Sequence, residues 1–260
     1  FVCARRGVGV KLSQVPGEEE NTMNTHAAII KQFLKDRKSV KVESRGLPFI
    51  TISRQAGAGG HTLARNILRA QERLLPGEFC EDWEVFDQKL CALIAQDEKL
   101  GFSFDALVAE EYRSEISQFL QELILQKATR YNLYKRIFQV VRMLGVLGKC
   151  IIVGRAGMCV CADLPMGVHV RLVSSPETRL RNMTSLLETG EDEARKAIRV
   201  QDKDRHRLVH DFFGKDIDDP MLYDLVLNMD RMTSEEAAEL VVRAMMQKMA
   251  RFPKRFQHVG

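Results

Sequence analysis

Short apolar runs alternate along this chain with stretches in which apolar residues recur every three or four positions. A short apolar or alternating run predicts a buried β-strand, whereas the longer period predicts an amphipathic α-helix. The runs that predict strands are 49–52, 83–87, 150–153, 168–173 and 223–228. Because strands that alternate with helices favour a parallel sheet flanked by helices, we expect an α/β fold.

The rest of the pattern predicts helices and two termini outside the main domain. The segments with helical spacing are 63–75, most of 88–147, 177–189, 192–207 and 234–249. For residues 1–46 we predict a disordered leader followed by an amphipathic helix at 24–38. Residues 252–260 are predicted to be a tail, which leaves a domain at 47–251. Met23 is the first methionine, and we hypothesise that it is the natural start.

Composition adds a weak preference for anions. The 260 residues carry a formal net charge of +4 at pH 7, which favours anionic ligands slightly but does not call for nucleic acid. Because no apolar run has membrane-spanning length and no signal peptide is visible, we expect a cytoplasmic protein without a membrane partner. The six cysteines lack paired metal-site spacing, so we expect reduced core residues.

The stretch PFITISRQAGAGGHTLAR at 48–65 places a glycine-rich turn between a predicted strand and a predicted helix. Backbone N–H groups in such a turn, and at the start of the helix, can bind a phosphate. The strict pattern G-x-x-x-x-G-K-[ST] is not met. With its second glycine on Gly59, Arg54 takes the place of the first glycine and Gly60 that of the lysine, while Thr62 lies near the hydroxyl position. An ordinary strand or hairpin turn explains this loop equally well.

Candidate polar residues follow several of the predicted strands. The loop at 53–62, Asp87, Arg155 and the pair Ser174 and Ser175 each come directly after a strand. Ligands of open parallel sheets bind at the carboxyl ends of the strands, and a phosphate loop, an acid and an arginine at one edge are typical of phosphoryl transfer. Two alternatives stay open: Arg155 could pair with a neighbouring acid, and Asp87 could cap a helix instead of orienting an acceptor or a magnesium-bound water.

Residues 195–207 form a predicted helix rich in arginine, lysine and aspartate. Arg195 and Arg199 share one face of it, because residues four apart are neighbours on a helix. Such a helix is either a solvated face or a mobile lid that brings arginines onto transferring phosphates.

Taken together, the motifs resemble those of the cytidylate kinase-like family of P-loop nucleoside monophosphate kinases, over about residues 48–245. They are ITISRQAGAGGHTLAR at 50–65, VFDQKL at 85–90, CIIVGRAG at 150–157, VHVRLVSSPETRLRNM at 168–183 and DKDRHRLVHDFFGKDIDDPMLYDLVLNMDRM at 202–232. The resemblance implies a three-layer P-loop kinase fold with a helical acceptor-binding insert at about 88–147 and a lid at about 190–216.

The resemblance also implies a role for individual residues, with ATP and Mg²⁺ as cofactors. Asp87 and Arg155 would bind the acceptor, and Thr62 would lie near Mg²⁺. The implied catalytic residues are Arg155, Arg199, Asp202 and Arg205, with Asp202 orienting the two lid arginines. The implied phosphate-binding residues are Ser53, Arg54, Gly57, Gly59, Gly60, His61 and Thr62.

Two positions depart from cytidylate kinases: Gly60 stands in place of a lysine and Ala156 in place of an aspartate. Arg54 and His61 are the nearest candidates to replace the lysine. We therefore expect a kinase that transfers the γ-phosphoryl group of ATP to a nucleoside monophosphate or another small acceptor. The alternatives are a nucleotide-binding regulatory protein that has lost catalysis and a purely structural α/β protein.

Overall fold

The structure is a computed structural model that describes residues 47–75, 77–87, 89–91 and 131–251. Within them the strands are β1 (Phe49–Arg54), β2 (Glu84–Phe86), β3 (Cys150–Val153), β4 (Gly167–Val173) and β5 (Leu225–Asn228). The strands pair in parallel in the order β2-β3-β1-β4-β5. This sheet, with helices on its faces, confirms the predicted α/β fold.

The described helices follow the strands in alternation. They are α1 (Gly60–Leu74), α2 (Tyr131–Leu147), α3 (Gly157–Val160), α4 (Pro176–Leu187), α5 (Glu191–Phe213) and α6 (Ser234–Ala250). In this part of the chain, no helix has the length and apolar character needed to cross a membrane. The predicted helix at 24–38, most of the predicted insert and the tail at 252–260 lie outside the described residues.

Alternation along the strands gives the sheet two apolar faces and therefore three layers. Ile50 and Ile52 point to one face, where they pack in a buried cluster with Ile67 of α1 and Val241 of α6. Phe49 belongs to the cluster on the opposite face, which α2 covers. Because both faces are covered, β3 is apolar at every position, as parallel strands often are, and polar residues within β1 and β4, such as Thr51 and His169, are buried as well.

Helix α5 is longer than its sequence pattern predicts. We expected a helix to Arg207 and a loop at 212–215, but α5 continues to Phe213 and ends at Gly214, whose φ is +61°. The reason is tertiary packing: the Phe212 ring lies 5.1 Å from that of Phe138, and the Phe213 ring lies 5.3 Å from it. The predicted lid therefore has its last turn anchored on the core.

All five strands point the same way, so the loops that follow them share one edge of the sheet. Strand β1 lies at the centre, between β3 and β4, with Ile52 opposite Val153 and Ser53 opposite Arg171. The glycine-rich loop after β1 therefore opens at the middle of this edge. The loops after β2, β3 and β4, which carry Asp87, Arg155 and Ser174, surround it.

Candidate functional site

The glycine-rich loop between β1 and α1 leaves the start of α1 without a cap. Gly57 and Gly59 take left-handed backbones, with φ of +81° and +84°. Gly59 is the N-cap residue of α1, no side chain of the described residues caps this end, and the first turn contains no acidic residue. The first N–H groups of a helix have no partner within it, and together with the helix dipole they favour an anion. The backbone N–H groups of Gly60, His61 and Thr62 therefore make this end of α1 electropositive, which is the property that anion sites at helix N-termini share.

Helix α4 holds the loop from outside, a feature that the sequence did not reveal. The Arg179 Nε donates to the carbonyl oxygen of Ala56 at 2.8 Å, and the Asn182 Nδ2 donates to that of Gly57 at 2.7 Å. A Cβ at Gly57 would lie 2.5 Å from the carbonyl oxygen of Arg179, so this close approach requires glycine. Because both carbonyls are fixed toward α4, the peptide N–H that follows each of them points to the opposite side.

Asp202 connects helix α5 to the same loop. Its Oδ1 accepts the backbone N–H of Ala56 at 2.8 Å, and its carboxylate forms ion pairs with Arg179 and, at 3.3 Å, with Arg205. Arg205 also donates to the carbonyl oxygen of Arg54 at 3.4 Å. Of the predicted lid residues, the structure thus brings Asp202 and Arg205 to the loop. Arg199 is exposed and forms no hydrogen bond or ion pair with the described residues.

Arg54 and Arg155 place two further guanidinium groups at this edge. Burial, with the nearby charges of Arg205 and Arg155, lowers the pKa of Arg54 to about 9. Burial also lowers the pKa of Arg155, whose Nε is buried and has no hydrogen-bond partner among the described residues. Arg155 and Ala156 both have a left-handed φ, +55° and +52°, directly after Gly154 at +88°. Non-glycine residues in this region store strain of about 1–2 kcal/mol each, and such strain clusters at functional sites.

Asp87, His61 and Thr62 lie on the β2 side of the loop. Asp87 Oδ1 accepts the backbone N–H of Leu90 at 2.9 Å, so the capping interaction considered for this residue is present. Its other oxygen lies 3.7 Å from Nε2 of His61, whose side chain is 59% exposed. Thr62 is exposed in the first turn of α1. Asp87 therefore combines helix capping with a place at the rim.

Ser53 is buried at the end of β1 in a polar network rather than on the open side of the loop. Its Oγ accepts from Nη1 of Arg171 at 2.9 Å and from the Tyr223 hydroxyl at 3.3 Å. Arg171 is buried and also pairs with Asp218 at 2.5 Å. Sequence reasoning missed Arg171, although a charge inside the apolar run VHVRLV was a signal of a buried ion pair.

Nearby, the described residues contain one cluster with the composition of a metal site. His206 Nε2 lies 3.1 Å from Asp218, and His206 Nδ1 lies 4.0 Å from Asp216. All three side chains are substantially exposed, and Asp218 is already paired with Arg171. The cluster therefore connects α5 to the loop that follows it.

The comparisons with known proteins agree with this fold. The sequence profile of the cytidylate kinase-like family matches residues 49–231. An uncharacterized protein from Eubacterium ventriosum ATCC 27560 is similar in structure, with a TM-score of 0.54, 17% identity, and coverage of 77% of this chain and 99% of that one. Shikimate kinase from Bacteroides thetaiotaomicron aligns over 77% of this chain and 98% of its own at 14% identity, but a TM-score of 0.39 carries no weight. A comparison with curated proteins gives no match.

Proposed function

Because the chain belongs to the cytidylate kinase-like family, we propose that it transfers the γ-phosphoryl group of ATP to a nucleoside monophosphate or a related small phosphorylated acceptor. Family membership supports a phosphotransferase in general; the donor and the acceptor belong to the proposal. The observation that carries it is the uncapped start of α1 beside Arg54 and Arg155. Neither guanidinium forms a hydrogen bond or ion pair with the described residues, so both are available to an anion.

In the proposed reaction the donor phosphates lie on the loop and the acceptor phosphate lies on Arg155. A planar guanidinium can hold a phosphate through two parallel hydrogen bonds. An oxygen of the acceptor phosphate attacks the γ-phosphorus while the bond from that phosphorus to the β–γ bridging oxygen breaks, giving ADP and a diphosphate. Because phosphoryl transfer needs little covalent help, the contribution of the protein is positioning and charge neutralisation.

Thr62 and Asp87 are the residues that fit Mg²⁺ at this edge. A hydroxyl and a carboxylate are the hard oxygen donors that Mg²⁺ prefers. Thr62 lies in the first turn of α1, and Asp87 directly follows β2. When bound, the metal would neutralise phosphate oxygens. The capping bond to Leu90 occupies one carboxylate oxygen of Asp87 and orients the other.

The test is an assay of ADP formation from ATP and Mg²⁺ with a panel of acceptors that includes CMP, dCMP and UMP. Turnover that depends on one acceptor supports the proposal. Tight nucleotide binding without turnover for any acceptor contradicts it. Arg155→Ala should abolish turnover while ATP binding stays largely intact, because this residue is assigned to the acceptor. Arg195→Ala is the matched control, since Arg195 is exposed and its ion pair is with Glu191, one turn earlier on α5.

A nucleotide-binding regulatory protein is the second candidate, and one contact favours it. The Asp202 carboxylate accepts the N–H of Ala56 and pairs with Arg179 and Arg205, so it joins α5 directly to the loop, and a ligand that moves the loop would also move α5. A regulatory protein of this kind would bind ATP and change the position of α5 without any phosphoryl transfer. Product analysis separates the two candidates directly. For both we propose a cytoplasmic location, because Cys80, Cys91, Cys159 and Cys161 are free thiols, as in a reducing compartment.

A further inference from the structure

Gly60 stands where a P-loop has its lysine, and the space above it is already filled. A Cβ at Gly60 would lie 3.2 Å from both Cγ and Cδ of Arg54 and 3.4 Å from its Nε. The Arg54 side chain therefore leaves the end of β1, folds back over the loop and lies across the start of α1. A longer side chain at position 60 would have to displace it.

A second glycine shows where the guanidinium group ends. A Cβ at Gly154, the residue after β3, would collide with Nη1 of Arg54. Because β1 and β3 are neighbours in the sheet, the guanidinium lies in the crevice between the start of α1 and the end of β3. Gly60 and Gly154 thus make room for one side chain, which extends from the donor loop toward the strand that carries Arg155.

Within the described part of the chain, this guanidinium has no counter-ion in contact with it. Arg54 forms no hydrogen bond or ion pair with the described residues, and three of the charges near it, on Arg205, Arg155 and Arg171, are also positive. Asp87, which lies 3.7 Å from His61, is the nearby charge of opposite sign. With a pKa of about 9, Arg54 is still a cation at neutral pH. A partly buried cation beside other cations is unfavourable until an anion enters the site.

The other cations near the loop are less suited to this place. His61, which the sequence also suggested, is 59% exposed and faces Asp87 at 3.7 Å. Arg205 is neutralised by Asp202 at 3.3 Å and donates to the Arg54 carbonyl oxygen. Among the described residues, Arg54 is therefore the side chain that lies over the loop without a partner.

We propose that Arg54 supplies the positive charge that the lysine supplies in a P-loop, reaching the donor phosphates from β1 instead of from α1. The inference rests on the proposed donor site. Arg54 would donate N–H bonds to oxygens of the β- and γ-phosphates and stabilise the charge on the bridging oxygen as its bond to the γ-phosphorus breaks. It keeps all its protons and forms no covalent bond. Its several donors can span two phosphate groups, which a single ammonium cannot do in the same fixed geometry.

The test replaces the arginine at position 54 with a lysine at position 60. Arg54→Ala removes the cation and opens the space above Gly60, and the double variant Arg54→Ala with Gly60→Lys restores a lysine where a P-loop has it. We expect Arg54→Ala to lower kcat roughly 10²–10³-fold, the effect of removing a preorganised donor, and the double variant to recover about tenfold or more. Gly60→Lys alone should be impaired, because the lysine meets the Arg54 side chain. Arg73→Ala, on an exposed ion pair of α1 with Glu239, is the control and should behave as the unmodified protein.

Binding of ATP and of inorganic tripolyphosphate, measured by calorimetry, gives a second readout that does not need turnover. If the unmodified protein binds ATP but transfers no phosphoryl group, the proposed kinase function fails while the role of Arg54 is still decided by the binding of the variants. Arg54→Ala that binds both ligands like the unmodified protein overturns the inference, as does a folded double variant no better than Arg54→Ala. If Arg54→Ala does not fold, Arg54→Gln keeps the side-chain stem and is judged by the same losses.

Discussion

Two glycines of the loop give a matched pair for testing how it is held. Gly57 and Gly59 have nearly the same φ, +81° and +84°. A Cβ at Gly57 would lie 2.5 Å from the carbonyl oxygen of Arg179, whereas a Cβ at Gly59 would meet no heavy atom within 4 Å. Alanine at either position carries the same backbone strain, but only Gly57→Ala has to push helix α4 away. We therefore predict a large loss of stability for Gly57→Ala and a small one for Gly59→Ala.

The expected losses of stability follow from the contacts that a Cβ would make at each position. A left-handed alanine costs about 1–2 kcal/mol, partly offset by about 0.4–1 kcal/mol from the less flexible unfolded chain, so Gly59→Ala should lose roughly 1 kcal/mol. At Gly57 the Arg179 oxygen would have to move from 2.5 Å to an ordinary contact at 3.4 Å, a shift of 0.9 Å. That shift strains the bonds from Arg179 and Asn182 to the loop carbonyls, and losing both adds roughly 2–4 kcal/mol.

Urea unfolding and thermal melting measure the loss of stability, and calorimetry measures the change in ATP binding. Gly57→Ala should lose about 3–5 kcal/mol in all, which lowers the melting temperature by roughly 6–15 °C. Gly59→Ala should melt close to the unmodified protein but bind ATP more weakly, because its methyl group enters the open space above the N–H groups of α1. Equal stability losses would show that α4 does not press on Gly57. Unchanged ATP binding in Gly59→Ala would refute the assignment of that space to phosphate.

Three further predictions concern stability. Both polar atoms of the Gln71 amide are buried and have no hydrogen-bond partner in the described ranges, so Gln71→Met should raise the free energy of unfolding by about 1–2 kcal/mol in urea titrations. Asn66→Leu should lower this free energy, because Asn66 donates to Glu235 at 2.9 Å. Burial lowers the pKa of His169 from 6.5 to about 4, so the unfolded state binds the proton more readily than the folded state. The free energy of unfolding should therefore fall by up to roughly 3 kcal/mol as the pH falls from 6.5 to about 4. His169→Gln should flatten this part of the stability profile. Thr233→Ala removes the capping box of α6 and should cost about 1 kcal/mol by the same titration, unless the helix end is capped otherwise.

The sheet could be predicted from the sequence because its signal is local. Each central strand is covered on both faces, so a run such as Cys150–Val153 is apolar throughout and stands out from the helices around it. The grouping of loops at one edge of the sheet could be predicted from the parallel direction of the strands, which places Asp87 and Arg155 at the same edge as the glycine-rich loop. The end of α5 was wrong because the sequence shows Phe212 and Phe213 next to Gly214, whereas their partners, Tyr134 and Phe138, come from a distant helix.

The contacts that shape the loop could not be predicted, because each joins residues that are far apart in the chain. Arg179 binds the carbonyl of Ala56 and Asn182 that of Gly57 across more than a hundred residues. Both lie on α4, whose sequence pattern only indicates a helix that begins at Pro176 with Ser175 as its N-cap. The direction of the Arg54 side chain is equally hidden, since a charged residue at the end of a strand can point to solvent or back over the loop.

If Arg54 has the proposed role, an arginine at position 54 and a lysine at position 60 are alternative sources of the same positive charge, because they compete for one space. A lysine at position 60 would need the volume that the Arg54 stem fills, and a side chain at position 154 would need the volume of its guanidinium. Without the Arg54 side chain, Gly60 and Gly154 would leave an empty space between them. In the structure, that side chain fills the space. The absence of the lysine is therefore no sign by itself that phosphate binding is lost. Charge at the loop depends on β1, and the geometry of the loop depends on α4 and α5, through Arg179 and Asp202.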